Sequence, residues 1–267
     1  MTATLDMRLA KLALVLALGI TPPAQATLIG AASEGQALDA ESALLGNPLV
    51  GIGLPPLVAG STPGTYNESD SLAAHAGVSG QLTITAGLLS GAASFDGATV
   101  TGGGGIENLH LQIASLISLN LDSLISTSSV SGDWGSLVAV GDSSLSNAFL
   151  TAGLAQLALD SHAAPNTTVD VLGLLGVAGV NLILNEQFET CSAGVCGIET
   201  NALHLTVNPV GLNLVTADII LGHSKARLEA EQNTVPPGTV PEPGVWSLLL
   251  LGLGALGLAR RRGALNA

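Results

Sequence analysis

Apolar and polar residues alternate through most of the middle of the chain, with the period of two that is typical of β-strands. The alternation or β-rich composition is clearest in residues 108–113, 167–172, 180–185, 201–207 and 214–222. Residues 81–86 and 98–101 are two further predicted strands. In residues 201–207 the pattern places Leu203, Leu205 and Val207 on one face, and His204 on the other.

Turn signals recur between these segments and predict tight connections. They are Asp96-Gly97, Gly132-Asp133, Gly141-Asp142 and Asn208-Pro209, and the run Gly102–Gly105 is interpreted as a loop hinge. Residues 27–70 are rich in glycine and proline, which favours irregular loops with short strands, and residues 144–160 are compatible with a helix or with strands. Many short strands with glycine turns predict an all-β protein, an antiparallel β-sandwich or roll.

The N-terminal residues have a different pattern. Arg8 and Lys11 precede the apolar residues 12–20, and Ala24-Gln25-Ala26 then supplies two small residues in the spacing that signal peptidase accepts. The sequence therefore predicts a signal peptide over residues 1–26, with export through the Sec translocon and cleavage after Ala26. An uncleaved amphipathic start or a buried hydrophobic segment is the alternative.

The C-terminal residues predict a membrane anchor. Residues 229–244 contain four prolines and form a predicted linker, and residues 245–259 carry no charge. A helix formed by these fifteen residues rises about 22 Å, which is somewhat short of a hydrocarbon core of about 30 Å. Trp246 at the interface and snorkelling arginine side chains allow the short helix to span the membrane. By the positive-inside rule, Arg260, Arg261 and Arg262 lie in the cytoplasm and the rest of the chain lies outside the inner membrane.

Pro241-Glu242-Pro243, the apolar helix and the arginine cluster follow one another in an order that resembles the PEP-CTERM sorting signal. The resemblance implies a Gram-negative bacterium, often one that makes exopolysaccharide, and processing by exosortase, a membrane protease-transpeptidase. It assigns Pro241, Glu242 and Pro243 to recognition by exosortase, residues 246–259 to the transmembrane helix, and Arg260–Arg262 to a cytoplasmic stop. The protein would be anchored transiently in the inner membrane and then reach the cell surface or extracellular matrix. A plain single-pass anchor with a proline-rich stalk is the alternative.

The charge of the mature segment excludes one class of partner. Residues 27–240 hold eighteen of the twenty carboxylates but only two basic residues, Lys225 and Arg227, which gives a net charge of −16. Phosphate backbones require a basic face, so we expect no nucleic-acid partner. Divalent cations could be held loosely, but no ordered ligand array such as an EF-hand loop is present.

Cys191 and Cys196 are the two cysteines of the chain. They flank a four-residue segment between two predicted strands, and a hairpin would bring them opposite each other, so a disulfide is favoured. A free, catalytic or zinc-binding pair is the alternative, although zinc requires four ligands and no further cysteine exists.

The predicted secreted domain, residues 27–228, carries a second resemblance. It contains the motifs PNTTV at 165–169, LILNEQ at 182–187, NALHL at 201–205 and ADIILG at 217–222. These motifs are similar to those of the choice-of-anchor P family, extracellular bacterial domains that share a body but differ in their C-terminal anchors. The resemblance implies a secreted all-β domain and supplies no catalytic residue.

No catalytic, cofactor-binding or metal-binding residue is predicted. The five histidines lack the spacing of a metal motif, and no nucleophile elbow of the form G-x-S-x-G occurs. A non-enzymatic structural or interaction protein of the cell envelope is therefore the leading hypothesis. The alternatives are a module that binds polysaccharide or divalent cations, and a secreted hydrolase that uses His204 or His223 with Asp218.

Overall fold

The computed structural model describes residues 27–44, 47–53, 58–62, 64–72, 78–79, 82–113, 117–208 and 215–232. The residues from Ala26 to Glu231 form one compact unit. The predicted signal peptide, the predicted transmembrane helix and the arginine cluster lie outside the described residues. Within the described part of the chain, no helix has both the length and the apolar character needed to cross a bilayer.

Strands dominate the described residues, which contain one short helix. The elements are β1 (Thr27–Leu44), β2 (Asn47–Gly53), β3 (Val58–Ser61), β4 (Tyr66–Leu72), β5 (Val78–Ser79), β6 (Leu82–Thr85), β7 (Leu88–Phe95), β8 (Thr99–Ile113), β9 (Ile117–Ser131), β10 (Val138–Ser146), β11 (Phe149–Ala152), β12 (Ala155–Ala158), β13 (Thr167–Val169), α1 (Val171–Leu175), β14 (Val180–Cys191), β15 (Val195–Val207) and β16 (Val215–Glu231).

The strands form two antiparallel sheets that face each other. Sheet A has the order β13-β14-β15-β16-β1-β2, and β3 also pairs with β1. Sheet B has the order β12-β11-β9-β8-β6-β5, with β10 on β9 and with β7 joining β8 to β4. The two sheets pack into a sandwich through contacts of β1, β15 and β16 with β7, β8 and β9. The predicted all-β antiparallel class is therefore confirmed.

The long strands change their inward face at a row of irregular residues, which we call the kink row. In sheet A the pairing skips Asn185, Ala202, Gly222 and Ala37, and in sheet B it skips Asn108 and Asp122. Asn185, Asn108 and Gly222 have positive φ angles of 52°, 53° and 62°. Asparagine and glycine tolerate this left-handed conformation better than other residues do, which explains why they occur here.

The kink row explains the burial pattern of β15. Cys196, Ile198 and Thr200 are buried before it, and Leu203 and Leu205 are buried after it. The predicted inward face of residues 203–207, formed by odd-numbered residues, is confirmed. In the preceding half of the strand the even-numbered residues face inward instead. A single alternating pattern therefore does not describe the whole strand.

The glycine run Gly102–Gly105 lies in the middle of β8, so its interpretation as a loop hinge is wrong. A Cβ atom on Gly102 would meet the backbone carbonyls of Glu34 and Lys225, and one on Gly104 would meet those of Gln36 and His223. The two sheets approach each other here almost backbone to backbone. The glycines are required by this close approach and not by a turn.

Two hydrophobic clusters lie on either side of this close approach. The larger contains Ile106, Leu124 and Leu203, and the smaller contains Val130 and Ile198. Between them lies a layer of small polar residues.

Within that layer, Ser128 donates from its Oγ to Thr200 Oγ1 at 2.9 Å and lies 3.0 Å from Ser224 Oγ. Hydrogen bonding satisfies these buried hydroxyls where no large side chain fits.

Other local predictions are corrected by the structure. Residues 27–44 form the long central strand β1 and not irregular loops, because both edges of β1 pair within sheet A and β1 also packs against β7 and β8 of sheet B. Gly141-Asp142 lies inside β10, and residues 144–160 contain the end of β10 together with β11 and β12, joined by short connections and without a helix. The segment 167–172 starts as β13, but α1 begins at Val171 after the Asp170 side chain caps it. β16 continues to Glu231, three residues into the predicted linker.

Candidate functional site

The outward surface of sheet A carries most of the ionisable side chains that contact one another. β14, β15, β16 and β1 are neighbours in this sheet, so their outward residues near the kink row lie side by side. Cross-strand pairs join Glu186 to Asn201, Asn201 to His223 and His223 to Gln36. His204 and Asp218 follow on the other side of the kink row.

His204 lies between two carboxylates. Its Nδ1 is 2.9 Å from Glu186 Oε2, and its Nε2 is 2.8 Å from Asp218 Oδ1. Burial alone lowers the pKa of His204, but the hydrogen bonds and charges of Glu186 and Asp218 outweigh it and raise the pKa above its usual value of 6.5. Because each carboxylate accepts, both ring nitrogens carry a proton and the imidazolium donates twice.

Glu186 is the buried member of this group, with its side chain 9% exposed. The same Oε2 atom also accepts from Asn201 Nδ2 at 2.8 Å. A buried carboxylate requires such partners, since an unpaired buried charge is strongly unfavourable. His204 and Asn201 therefore hold Glu186 against the sheet.

His223 continues the network on the other side of Asn201. Its Nδ1 lies 2.8 Å from Asn201 Oδ1, and its Nε2 lies 3.3 Å from Glu34 Oε1. Because Asn201 donates from its amide nitrogen to Glu186, its Oδ1 atom accepts from His223 Nδ1. The hydrogen-bonded group thus extends across four strands, from Glu186 on β14 to Glu34 on β1.

In this geometry the two histidines link neighbouring strands of sheet A. The predicted proximity of His204 and Asp218 is present, whereas His223 has its hydrogen bonds to Asn201 and Glu34. The hydrogen bonds of both rings, within the described residues, go to carboxylates and to an amide, with no hydroxyl or thiol among the partners. The arrangement favours the charged form of His204, whereas a general base needs a free ring nitrogen that faces a nucleophile.

The other described histidines have simpler surroundings. His110 Nδ1 is 2.6 Å from Asn120 Oδ1 on the outward face of sheet B, and His162 Nδ1 is 3.1 Å from Ser161 Oγ. His75 lies outside the described residues. The sequence alone did not indicate Glu186 as the partner of His204, because that contact depends on the register of β14 on β15.

A groove of about 360 Å³ lies on the same side of sheet A. It is lined by residues of β1 and β3, including Glu34, and by Lys225 and Arg227 of β16. Arg227 donates from Nε and Nη2 to Glu229 Oε1 at 2.9 and 2.7 Å. Lys225 has no hydrogen bond or ion pair with any residue that the structure describes. The two basic residues of the mature segment therefore line one groove.

Cys191 and Cys196 form a disulfide, as the hairpin predicted. They are directly opposed in the register of β14 and β15, and Ser192 to Gly194 form the connection. Glu189 lies near both sulfur atoms. Since the sulfur atoms are bonded to each other, the zinc-binding alternative does not apply to this state.

The residues that the sequence assigns to processing lie outside the described part of the chain. They are Ala24, Ala26, Pro241, Glu242, Pro243, Arg260, Arg261 and Arg262. Residues 239–262 match the PEP-CTERM protein-sorting motif. The match includes the Pro-Glu-Pro tripeptide and the arginine cluster, and it supports an exported, membrane-transiting protein that exosortase processes.

The PEP-CTERM match covers the sorting segment and none of the sandwich. Neither the curated proteins nor the solved structures contain a significant match to the chain. The resemblance of the sandwich to the choice-of-anchor P family therefore stays a prediction.

Proposed function

We propose that this is a surface or extracellular-matrix protein with a non-enzymatic structural or interaction role, delivered by exosortase. The PEP-CTERM motif at residues 239–262 is the observation that carries the proposal. In this proposal the chain passes the Sec translocon, loses its signal peptide to signal peptidase, and is held by its C-terminal helix in the inner membrane until exosortase acts. The sandwich, as a body of the choice-of-anchor P kind, is the delivered part.

The structure of the sandwich supports a structural role. Its two sheets are joined by a close backbone approach at Gly102 and Gly104, and a hydrogen-bonded network spans four strands on the outside of sheet A. The Cys191–Cys196 disulfide closes the β14–β15 hairpin. These contacts connect neighbouring strands and the two sheets, which suits a building unit of an envelope or matrix.

Replacement of Pro241-Glu242-Pro243 by three alanines tests the sorting step. The expected result is a longer, membrane-held form, because exosortase would lose its recognition tripeptide. Gel mobility and membrane fractionation in a host that makes exosortase measure it. Replacement of Pro236-Pro237 by alanines in the same linker is the control and should leave processing unchanged. A triple variant that is processed like the wild type would contradict the proposal.

The non-enzymatic role is tested separately. A broad screen for hydrolase activity is expected to show no turnover above background. Turnover that disappears in His204→Ala would contradict this role and favour the hydrolase hypothesis, in which His204 or His223 acts with Asp218.

Binding of an acidic polysaccharide is a second candidate function, and the groove at Lys225 favours it. Lys225 has no ion pair among the described residues, and Arg227 beside it is oriented by Glu229. A carboxylated sugar could pair with these two cations, although the net charge of −16 opposes the approach of a polyanion. Exopolysaccharide is the partner that this candidate implies.

A glycan array and calorimetry with the best ligand test this second candidate. Lys225→Gln should lower the affinity about tenfold, and Lys225→Arg should retain most of it. Absence of any glycan signal would dismiss the polysaccharide proposal. For divalent cations, a calcium titration that leaves the melting temperature unchanged would dismiss cation binding.

A further inference from the structure

Two carboxylates flank Lys225 on the outward surface of sheet A. In the register of the sheet, Glu34 on β1 and Glu199 on β15 both lie directly opposite Lys225 on β16. Side chains at directly opposite positions have Cβ atoms about 4.5–5.5 Å apart, so either carboxylate is within reach of the ammonium group. In the part of the chain that the structure describes, however, both carboxylates pair with another residue.

That residue is His223, the next outward residue of β16. Glu34 Oε1 lies 3.3 Å from His223 Nε2, and Glu199 Oε1 lies 3.8 Å from its Nδ1. The histidine side chain is 12% exposed, whereas the side chains of Glu34 and Glu199 are 32% and 36% exposed. The ring is therefore held against the sheet, while both carboxylates reach solvent and have room to turn between two cationic partners.

The partners of His223 require a proton on both ring nitrogens. Asn201 Oδ1 accepts from Nδ1, because the amide nitrogen of Asn201 donates to Glu186. Nε2 faces a carboxylate oxygen of Glu34, which can only accept, so Nε2 also carries a proton. The carboxylates are thus turned away from Lys225 in the arrangement that belongs to the charged imidazolium.

We propose that His223 controls the access of an anionic ligand to Lys225 by holding Glu34 and Glu199 away from it. While the ring is charged, both carboxylates stay with it, and the ammonium group of Lys225 is free for a carboxylated sugar. When Nε2 loses its proton, its lone pair faces the carboxylate of Glu34 and repels it. Glu34 then turns to Lys225, which lies directly opposite, and occupies the cation that the ligand needs.

The charges around the groove change in the same direction. Six ionisable side chains lie in or beside it: His223, Lys225, Arg227, Glu34, Glu199 and Glu229. Three cations face three carboxylates while the histidine is charged, and two cations face three when it is neutral, which opposes an anion. On the inner side of the sheet, β8 presents glycine to the backbone of His223 and adds no charge.

The inference rests on the second candidate function, since the ligand is the acidic polysaccharide of that proposal, and it adds the regulation of the site. Histidine side chains change charge between about pH 5 and 8. Binding should therefore be stronger in mildly acidic than in mildly alkaline solution. His223 is a positioning residue in this account, because Lys225 and Arg227 contact the sugar.

A single lysine signal tests the control directly. Lys225 is the one lysine of the mature segment, and Lys11→Arg in the predicted signal peptide makes it the one lysine of the full chain. Reductive methylation with ¹³C-formaldehyde labels this lysine and keeps its charge. The labelled α-amino group gives a separate signal. Between about pH 5 and 8 the ¹³C chemical shift of Lys225 should pass through a step, because Glu34 and Glu199 turn to it as His223 loses its proton.

Variants separate a turn of the carboxylates from a direct effect of the histidine charge. His223→Gln should abolish the step, while His110→Gln, on the outward face of sheet B, should retain it. The double variant Glu34→Gln and Glu199→Gln keeps the histidine and removes the carboxylates, and it should also abolish the step. If His223→Gln fails to fold, this double variant decides. Absence of a step in the wild type, or its persistence in the double variant, would overturn the inference.

Calorimetry with tetragalacturonate, whose carboxylates stay ionised above about pH 5, measures the consequence for binding. The wild type should bind at least about fivefold more tightly at about pH 5.5 than at about pH 8, and His223→Gln should reduce this ratio below about twofold. An equal ratio in the wild type and the variant would contradict the control by His223.

The two measurements distinguish failure of the inference from failure of the candidate function. If the sugar does not bind but the step at Lys225 behaves as expected in all variants, the polysaccharide candidate fails and the control of Lys225 by His223 stands. If the sugar binds but the step is missing, the inference is overturned and the polysaccharide candidate stands.

Discussion

At the scale of single residues, His204 shows how sheet register creates a strong electrostatic contact. The kink at Asn185 turns Glu186 outward, opposite Asn201 and within reach of His204. The imidazolium then bridges β14 to β16 through Glu186 and Asp218. We expect this bridge to contribute to stability only while His204 is charged.

Replacement of His204 by glutamine tests this contribution. Since folding raises the pKa of His204 above 6.5, its stabilisation is full below the unfolded pKa and is lost as pH rises through the higher folded pKa. The wild type should therefore lose stability as pH rises above about 6.5, and H204Q should lack this decline. Below that pH the variant should be less stable by about 1–3 kcal/mol, because Glu186 loses a charged partner.

Thermal unfolding between pH 5 and 9, followed by circular dichroism, measures the effect. His110→Gln is the control, because the hydrogen-bond partner of His110 is Asn120 and not a carboxylate. Parallel pH profiles for the wild type and H204Q would show that the bridge carries no pH-dependent stability.

The sequence predicted one of the two partners of His204. It placed His204 and Asp218 on neighbouring strands, because the alternating patterns of β15 and β16 are clear. It did not reveal Glu186 as the partner, since the register of β14 depends on a positive φ angle at Asn185 that alternation does not encode.

At the scale of elements, β8 depends on glycine for reasons that local propensity does not show. Gly104→Ala would direct a Cβ atom at the backbone carbonyls of Gln36 and His223. The backbone has little freedom to move there, so we expect a loss of about 3 kcal/mol or more. Gly103→Ala points outward with its nearest neighbour at 3.6 Å and should be neutral or slightly stabilising.

Chemical denaturation of the two variants measures the difference in the free energy of unfolding. Similar stabilities for G103A and G104A would mean that the sheets are not in close backbone contact at this point.

The β14–β15 hairpin offers a second test at this scale. Cys191 and Cys196 close a short loop, so their disulfide should contribute about 2 kcal/mol, the low end of the usual range. The double variant Cys191→Ser and Cys196→Ser should unfold at correspondingly lower denaturant, with an unchanged far-ultraviolet spectrum. Alkylation without reductant, followed by mass spectrometry, should label no thiol in the wild type, and two labelled thiols would contradict the disulfide.

Alternation predicted the strands with one buried face, such as residues 201–207, because burial selects every second residue. It failed where a long strand crosses the kink row or contacts the opposite sheet through glycine. In β8 the segments 98–101 and 108–113 appeared as two strands separated by a hinge, yet they belong to one continuous strand. Glycine at a close approach and glycine at a turn look alike in the sequence.

At the scale of the whole molecule, the ion pairs among the described residues are concentrated on one side of the sandwich. The outward side of sheet A carries the histidine–carboxylate network and the groove with Lys225 and Arg227.

The C-terminal sorting segment was predictable from the sequence because its order of tripeptide, apolar stretch and arginines is read along the chain. The role of the sandwich was not predictable to the same degree, since no catalytic spacing or metal motif defines it. The match at residues 239–262 covers the sorting segment and stops short of the sandwich.

The intact mass of the protein recovered from the cell surface tests delivery by exosortase. We expect a species that begins at Thr27, after signal peptidase has acted, and that lacks residues 245–267, after exosortase has acted at Pro241-Glu242-Pro243. A surface form whose mass includes Arg260–Arg262 and the residues up to Ala267 would contradict it.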